Sequence, residues 1–137
     1  MGRDDDLELV RTSIEALNAR DFERVLETLD PDVELVTAKG VFEGAEPYRG
    51  HEGFRRYHAD MSEDWEYFDY ELEELKNVGD GLVLVAGRFR ARGRDTGNEV
   101  SSPGAWLCKV RDGSIRSVHF YADAEAALAA AHELAAH

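Results

Sequence analysis

The sequence predicts an α+β fold: a curved antiparallel sheet wrapped on its concave side by the N-terminal helices. Three observations carry this. Residues 81–121 hold three strand-like runs separated by two turn signals, Gly93-Arg94-Asp95-Thr96-Gly97-Asn98 and Arg111-Asp112-Gly113. Asp-Gly between alternating apolar runs is a strong hairpin signal. The chain before them is helical in period, with Leu7, Val10, Ile14 and Leu17 on one stripe. The resulting order is helix, helix, strand, loop, helix, strand, three long strands, helix. Helices early and antiparallel strands late point to α+β and away from a parallel sheet.

The first helix spans residues 4–19, and Asp4, Asp5 and Asp6 stand at its start, where acids suit the helix dipole. Asp21 can cap a short second helix, with Phe22, Val25, Leu26 and Leu29 on one face. Asp30-Pro31-Asp32 stops it, and Val33-Glu34-Leu35-Val36 reads as a short strand. Residues 38–49 carry Gly40, Gly44 and Pro47 and read as a loop, in which Val41-Phe42 is a candidate short strand. A third helix begins near Gly50, and Phe54, Tyr57 and Met61 form its stripe with His58 beside it. Trp65 follows one turn later. Phe68, Tyr70 and Leu72 then alternate with Asp69, Glu71 and Glu73, a strand with one wet face. Residues 77–81 form a turn into the three-strand meander. Asp123 can cap the last, Ala-rich helix.

At 137 residues the chain reads as one domain, 1–137, large enough to bury its own core. The N-terminus is acidic and lacks the apolar core of a signal peptide, so the expected compartment is the cytoplasm. Cys108 is the only cysteine, which excludes a disulfide framework and a cysteine metal site. Histidines and acids show no ligand spacing on one element, so neither a metal nor any other cofactor is expected. Net charge is -13; residues 1–76 hold 22 acids and 9 bases, and residues 77–137 hold 7 of each. Such a surface repels phosphate backbones and anionic lipid, which argues against nucleic acid and membrane partners. Acidity of this kind also serves solubility.

Several stretches resemble a known family. Ala16-Leu17-Asn18-Ala19-Arg20-Asp21-Phe22 and Leu29-Asp30-Pro31-Asp32-Val33 are similar to the opening of SnoaL-like domains of the NTF2-like superfamily. So are Tyr48-Arg49-Gly50-His51-Glu52-Gly53, Gly87-Arg88-Phe89-Arg90-Ala91-Arg92-Gly93, Arg111-Asp112-Gly113-Ser114-Ile115 and the closing stretch 121–128. The resemblance implies a bent sheet closed by three helices over an apolar cavity, and a homodimer built on the outer sheet face. It does not name a reaction, because this fold hosts enzymes, binders and assembly modules.

Relatives with acid/base chemistry provide a comparison. Against steroid-isomerase-like members, the base position falls at Leu35, the tyrosine at Ser13 and the second acid near Ala105. Against epoxide-hydrolase-like members, the last-strand acid falls at Phe120, and Arg88 has no carboxylate beside it in sequence. Both sets are incomplete. Asp123 stands near the position of an acid in SnoaL-type cyclases, but helix capping also explains it.

The residues themselves leave a candidate site. His58 reads as a general base or as a packed core histidine. Tyr57 reads as an oxyanion donor or as core. Arg88 binds an anionic ligand group if its strand face looks inward; if outward, Arg88, Arg90 and Arg92 partner acids such as Glu71 and Glu73. Phe54, Met61, Trp65, Phe68, Leu84, Ala86 and Phe120 are the candidate ligand-binding lining, and His119 falls on the opposite face from Phe120. Two functions follow. One is a cavity domain that binds an apolar small molecule and acts on it as a cyclase, isomerase or hydratase. The other is a non-catalytic binding or dimerisation module.

Overall fold

The computed structural model describes residues 3–36, 48–79 and 81–135. Its elements are α1 (Arg3–Asn18), α2 (Phe22–Thr28), β1 (Leu29–Val36), β2 (Tyr48–Arg49), α3 (Gly50–Asp64), β3 (Trp65–Gly79), β4 (Leu82–Gly93), β5 (Glu99–Arg111), β6 (Ser114–Tyr121) and α4 (Ala124–Ala135). The pairing considered at Val41-Phe42 lies outside the described residues. The strands form one curved sheet in the order β2-β1-β6-β5-β4-β3. All neighbours are antiparallel except β1 and β6, which run parallel.

Local chemistry explains the element ends. Asp21 accepts from the Arg24 amide at 3.3 Å and caps α2; Asp123 accepts from the Ala126 amide at 2.9 Å and caps α4. Between β5 and β6, Asp112 and Gly113 have φ of 53° and 78°. Positive φ at both central residues matches the strand twist, as Asp-Gly predicts. The strand after α2 starts at Leu29 rather than Val33. Pro31 is accommodated because the β1–β6 pairing is interrupted between Leu29 and Glu34, so no ladder bond is required of it.

The helices lie on both faces of the sheet. On the inner face, α1, α2 and α3 pack over Val83, Val85, Cys108, Val110 and Val118. On the outer face, Ala127 and Ala131 of α4 cover Leu84, Ala105 and Leu107. The residues of β4 from 82 to 87 are all buried, because each face has a helical cover. That is why this strand shows no polar alternation until Arg88. Beyond α4 the outer face becomes a ladder of ion pairs. Arg90 meets Asp69 at 3.1 Å and Glu71 at 3.5 Å, and Arg92 meets Glu99 at 2.6 Å. Among the described residues, no helix is long and apolar enough to cross a membrane.

Candidate functional site

A cavity of about 80 Å³ lies between the inner sheet face and the first three helices. Every inner element contributes: Ile14 and Leu17 from α1, Val25 from α2, Phe54, Tyr57 and His58 from α3, and side chains from all the long strands. An apolar cavity of about 150 Å³ can hold benzene. The site as it stands is about half that size, so even a single ring must displace side chains to enter.

His58 is the polar centre of this apolar space. Its position follows from α3. Gly53 packs so closely on the Tyr48 backbone that an added Cβ would sit 2.8 Å from the Tyr48 carbonyl carbon. That contact turns Phe54 and, one turn later, His58 inward. The His58 side chain is buried. Its ring lies 4.4 Å from that of Phe22 and 4.6 Å from that of Phe54, and it stacks on Phe68 at 5.4 Å and 23°. Its Nε2 is buried and has no hydrogen-bond partner among the described residues. Burial, then the positive charge of Arg20, holds its pKa down at about 4. The imidazole is therefore neutral at pH 7. A buried, unsatisfied polar atom disfavours folding by about 1–3 kcal/mol, so such an atom in a cavity wall points to a use.

The other polar groups are mostly committed. Tyr57 sits edge-on to His58 at 5.7 Å and beside Phe120 at 5.7 Å; burial raises its pKa, so it stays a neutral phenol. The Tyr70 hydroxyl donates to the Gly104 carbonyl at 2.6 Å. The Ser13 and Thr28 hydroxyls lie 2.9 Å apart. Burial pushes the Cys108 thiol up to about 12, which keeps it protonated. Asp69 is the one carboxylate among the described lining residues, and its oxygens take Arg90 on the outer side. No three described His, Cys, Asp or Glu side chains gather as a metal set.

Of the residues singled out in the sequence, His58, Tyr57, Phe54, Phe68 and Phe120 line the cavity. Arg88 does not. It lies on the outer face, where its Nε donates to the Ser101 hydroxyl at 3.0 Å and its Nη2 to the Ser101 carbonyl at 3.3 Å. Its role as an inward anion anchor is corrected accordingly. Leu84 and Ala86 are also corrected: strand alternation puts Val83, Val85 and Phe89 on the inner face, where Phe89 lines the cavity and the two valines join the core, and Leu84 packs under α4. Met61 is half-buried outside the lining, and its carbonyl accepts from the Trp65 amide where α3 ends. Trp65 stands behind the wall, edge-on to Phe89 at 5.9 Å. Leu35 and Ser13, where steroid-isomerase-like members place catalytic groups, do line the cavity, whereas Ala105 is on the α4 side.

Sequence reasoning missed Phe89, Tyr70 and Trp106 as cavity wall, and Phe22 as a ring packed against His58. The alternation of Phe89 with the three arginines carried the signal for that strand. Trp106 stacks on Tyr70 at 4.4 Å, a pairing that depends on strand register and has no local signature.

The comparisons agree with this architecture. The family model described as SnoaL-like domain matches residues 10–118. Among curated proteins, no sequence matches the chain. Among solved structures, an NTF2-like protein of unknown function from Burkholderia pseudomallei K96243 is 19% identical with a TM-score of 0.78, covering 94% of this chain and 97% of its own. TerC, co-crystallised with polyporic acid, is 22% identical with a TM-score of 0.78, covering 97% and 99%. A protein provisionally named a SnoaL-like polyketide cyclase from Jannaschia sp. CCS1 is 18% identical with a TM-score of 0.74, covering 93% and 92%. Identities this low establish the shared fold and leave the activity of each relative its own. With the matched model spanning most of the chain and the same sheet-and-helix architecture in its structural relatives, the protein belongs to the SnoaL-like domain family.

Proposed function

We propose that the protein binds a small apolar molecule, ring-shaped and hydroxylated, with His58 as its polar anchor. The single observation behind this is the buried, unpartnered Nε2 of His58 in an aromatic wall. A ligand hydroxyl would satisfy that nitrogen, and flat rings would match Phe54, Phe68 and Trp106. Trp106 supplies the assay, because it touches the cavity and fluoresces. Monocyclic rings with and without a hydroxyl are titrated against the protein and against His58→Phe. The hydroxylated member should bind about tenfold more tightly, the worth of one good hydrogen bond, and His58→Phe should abolish the preference. Equal affinities for both rings in the unmodified protein would contradict the reading.

The same nitrogen favours a catalytic reading as well, a cyclase-, isomerase- or hydratase-type proton transfer. His58 Nε2 would take a proton from the substrate while the neutral Tyr57 phenol donates to the oxygen on which charge develops. A conjugate acid near pKa 4 is a weak base, so the substrate proton must itself be acidic. Solvent deuterium entering a bound ligand, and failing to enter with His58→Phe, is the expected result. No exchange for any bound ligand leaves the domain a binder. The homodimer implied by the family is proposed for the outer face beyond α4, where Tyr67 is 38% exposed. Light scattering that shows a monomer at every concentration would contradict it.

A further inference from the structure

The link between α1 and α2 reaches across to β3 in two places. Asn18 makes a double contact with the Tyr70 backbone: its Nδ2 donates to the carbonyl at 2.8 Å, and its Oδ1 accepts from the amide at 3.0 Å. It completes an edge that has no neighbouring strand. Two residues on, Arg20 donates from Nη2 to the Phe68 carbonyl at 2.7 Å and lays its guanidinium 4.9 Å from the Phe68 ring centre. Arg20 holds a left-handed backbone, φ 62°, to do so. Phe68 is the ring on which His58 stacks. Guanidinium, phenyl and imidazole are thus consecutive contacts.

We infer that Arg20 is a positioning residue for the cavity, whose charge, seated on Phe68, adds to burial in disfavouring the protonated form of the His58 imidazole. The two contacts put the guanidinium within about 10 Å of the imidazole, about one screening length at 0.1 M salt. Among the described residues, no opposing charge faces His58 from the elements around it. α2 presents Phe22, and α3 presents Phe54 and the neutral Tyr57. β3 presents Phe68 and Tyr70, which is held neutral, and β5 the protonated Cys108. Asp69, the one lining carboxylate, is turned to Arg90. Arg20 also stands behind the direction of the His58 shift, second to burial.

This rests on the reading of His58 as the ligand-facing group, but its test needs no ligand. The His58 ring nitrogens are titrated by long-range ¹H–¹⁵N NMR in the full chain and in Arg20→Gln, Arg20→Lys and Asn18→Ala. Arg20→Gln should raise the midpoint by roughly half a pH unit, the size of one solvent-exposed charge at this range. Arg20→Lys keeps the charge and should stay within about 0.2 unit of the parent on the same scale. Asn18→Ala loosens the same strand without removing charge. It should lower the melting temperature and leave the midpoint in place. On the unmodified protein, 1 M salt should raise the midpoint about as far as Arg20→Gln does. An unchanged midpoint in Arg20→Gln, an equal shift in Asn18→Ala, or no response to salt would each overturn the inference. Any of these would leave ligand binding by His58 intact. Conversely, a ligand that ignores His58→Phe sinks the binding reading without touching the titration.

Discussion

Replacing His58 by phenylalanine should change how stability depends on pH. The folded imidazole has a pKa of about 4, against 6.5 for the free side chain. Above pH 6.5 both states are neutral and His58 adds no pH dependence. Between 6.5 and 4 the unfolded chain binds a proton that the folded chain refuses, so stability falls as pH falls. At pH 4.5 the loss from this one group is about 2.5 kcal/mol. Phenylalanine has nothing to titrate. It also removes the unpartnered nitrogen, at the expense of a bulkier ring in a tight wall; that packing term does not vary with pH. The assay is urea denaturation of both proteins at pH 7.5 and pH 4.5. The stability of His58→Phe minus that of the parent should grow by about 2.5 kcal/mol on acidification. Other acids titrate in both proteins and cancel in the difference. A change below about 0.5 kcal/mol would refute a buried neutral His58, since it corresponds to less than half a unit of pKa shift.

Four further outcomes follow from the sheet. Phe68→Ala and Leu84→Ala should each destabilise by about 2–5 kcal/mol in denaturation, but only Phe68→Ala should remove the Trp106 fluorescence response to ligand, because Leu84 lies under α4. Gly87→Ala should lower stability by about 1–3 kcal/mol, since the new methyl would collide with the Glu71 carbonyl oxygen on the neighbouring strand. Gly104→Ala, with nothing within 4 Å of its new methyl, should be neutral or slightly stabilising in the same melt. Arg88→Ala should leave ligand affinity unchanged and alter stability by no more than about 0.5 kcal/mol, as its side chain bonds Ser101 on the outer face, away from the cavity.

The elements were legible because their signals are local. Asp112-Gly113 specified the last hairpin, Asp21 and Asp123 specified caps, and the 54–58 spacing put Phe54 and His58 on one face of α3. The facing of β4 was not legible. A helix 40 residues further along covers its outer half, so Leu84 and Val85 look alike in sequence although one packs under α4 and the other in the main core. The arginine strand was conspicuous for the same reason that it is not a site: it begins where α4 stops protecting the sheet. The state of His58 could not be read either. It depends on Phe22, Phe68 and Arg20, which come from two other parts of the chain and meet only in the fold.

The central claim is that His58 Nε2 is the atom a ligand finds in this cavity. It is tested most directly by following the His58 ring nitrogens by NMR while the tightest hydroxylated ring is titrated in. Nε2 should shift and saturate at the same concentration as Trp106 fluorescence, with His51 and His119 unmoved. A ligand that saturates the Trp106 signal while the His58 nitrogens stay where they were would contradict it.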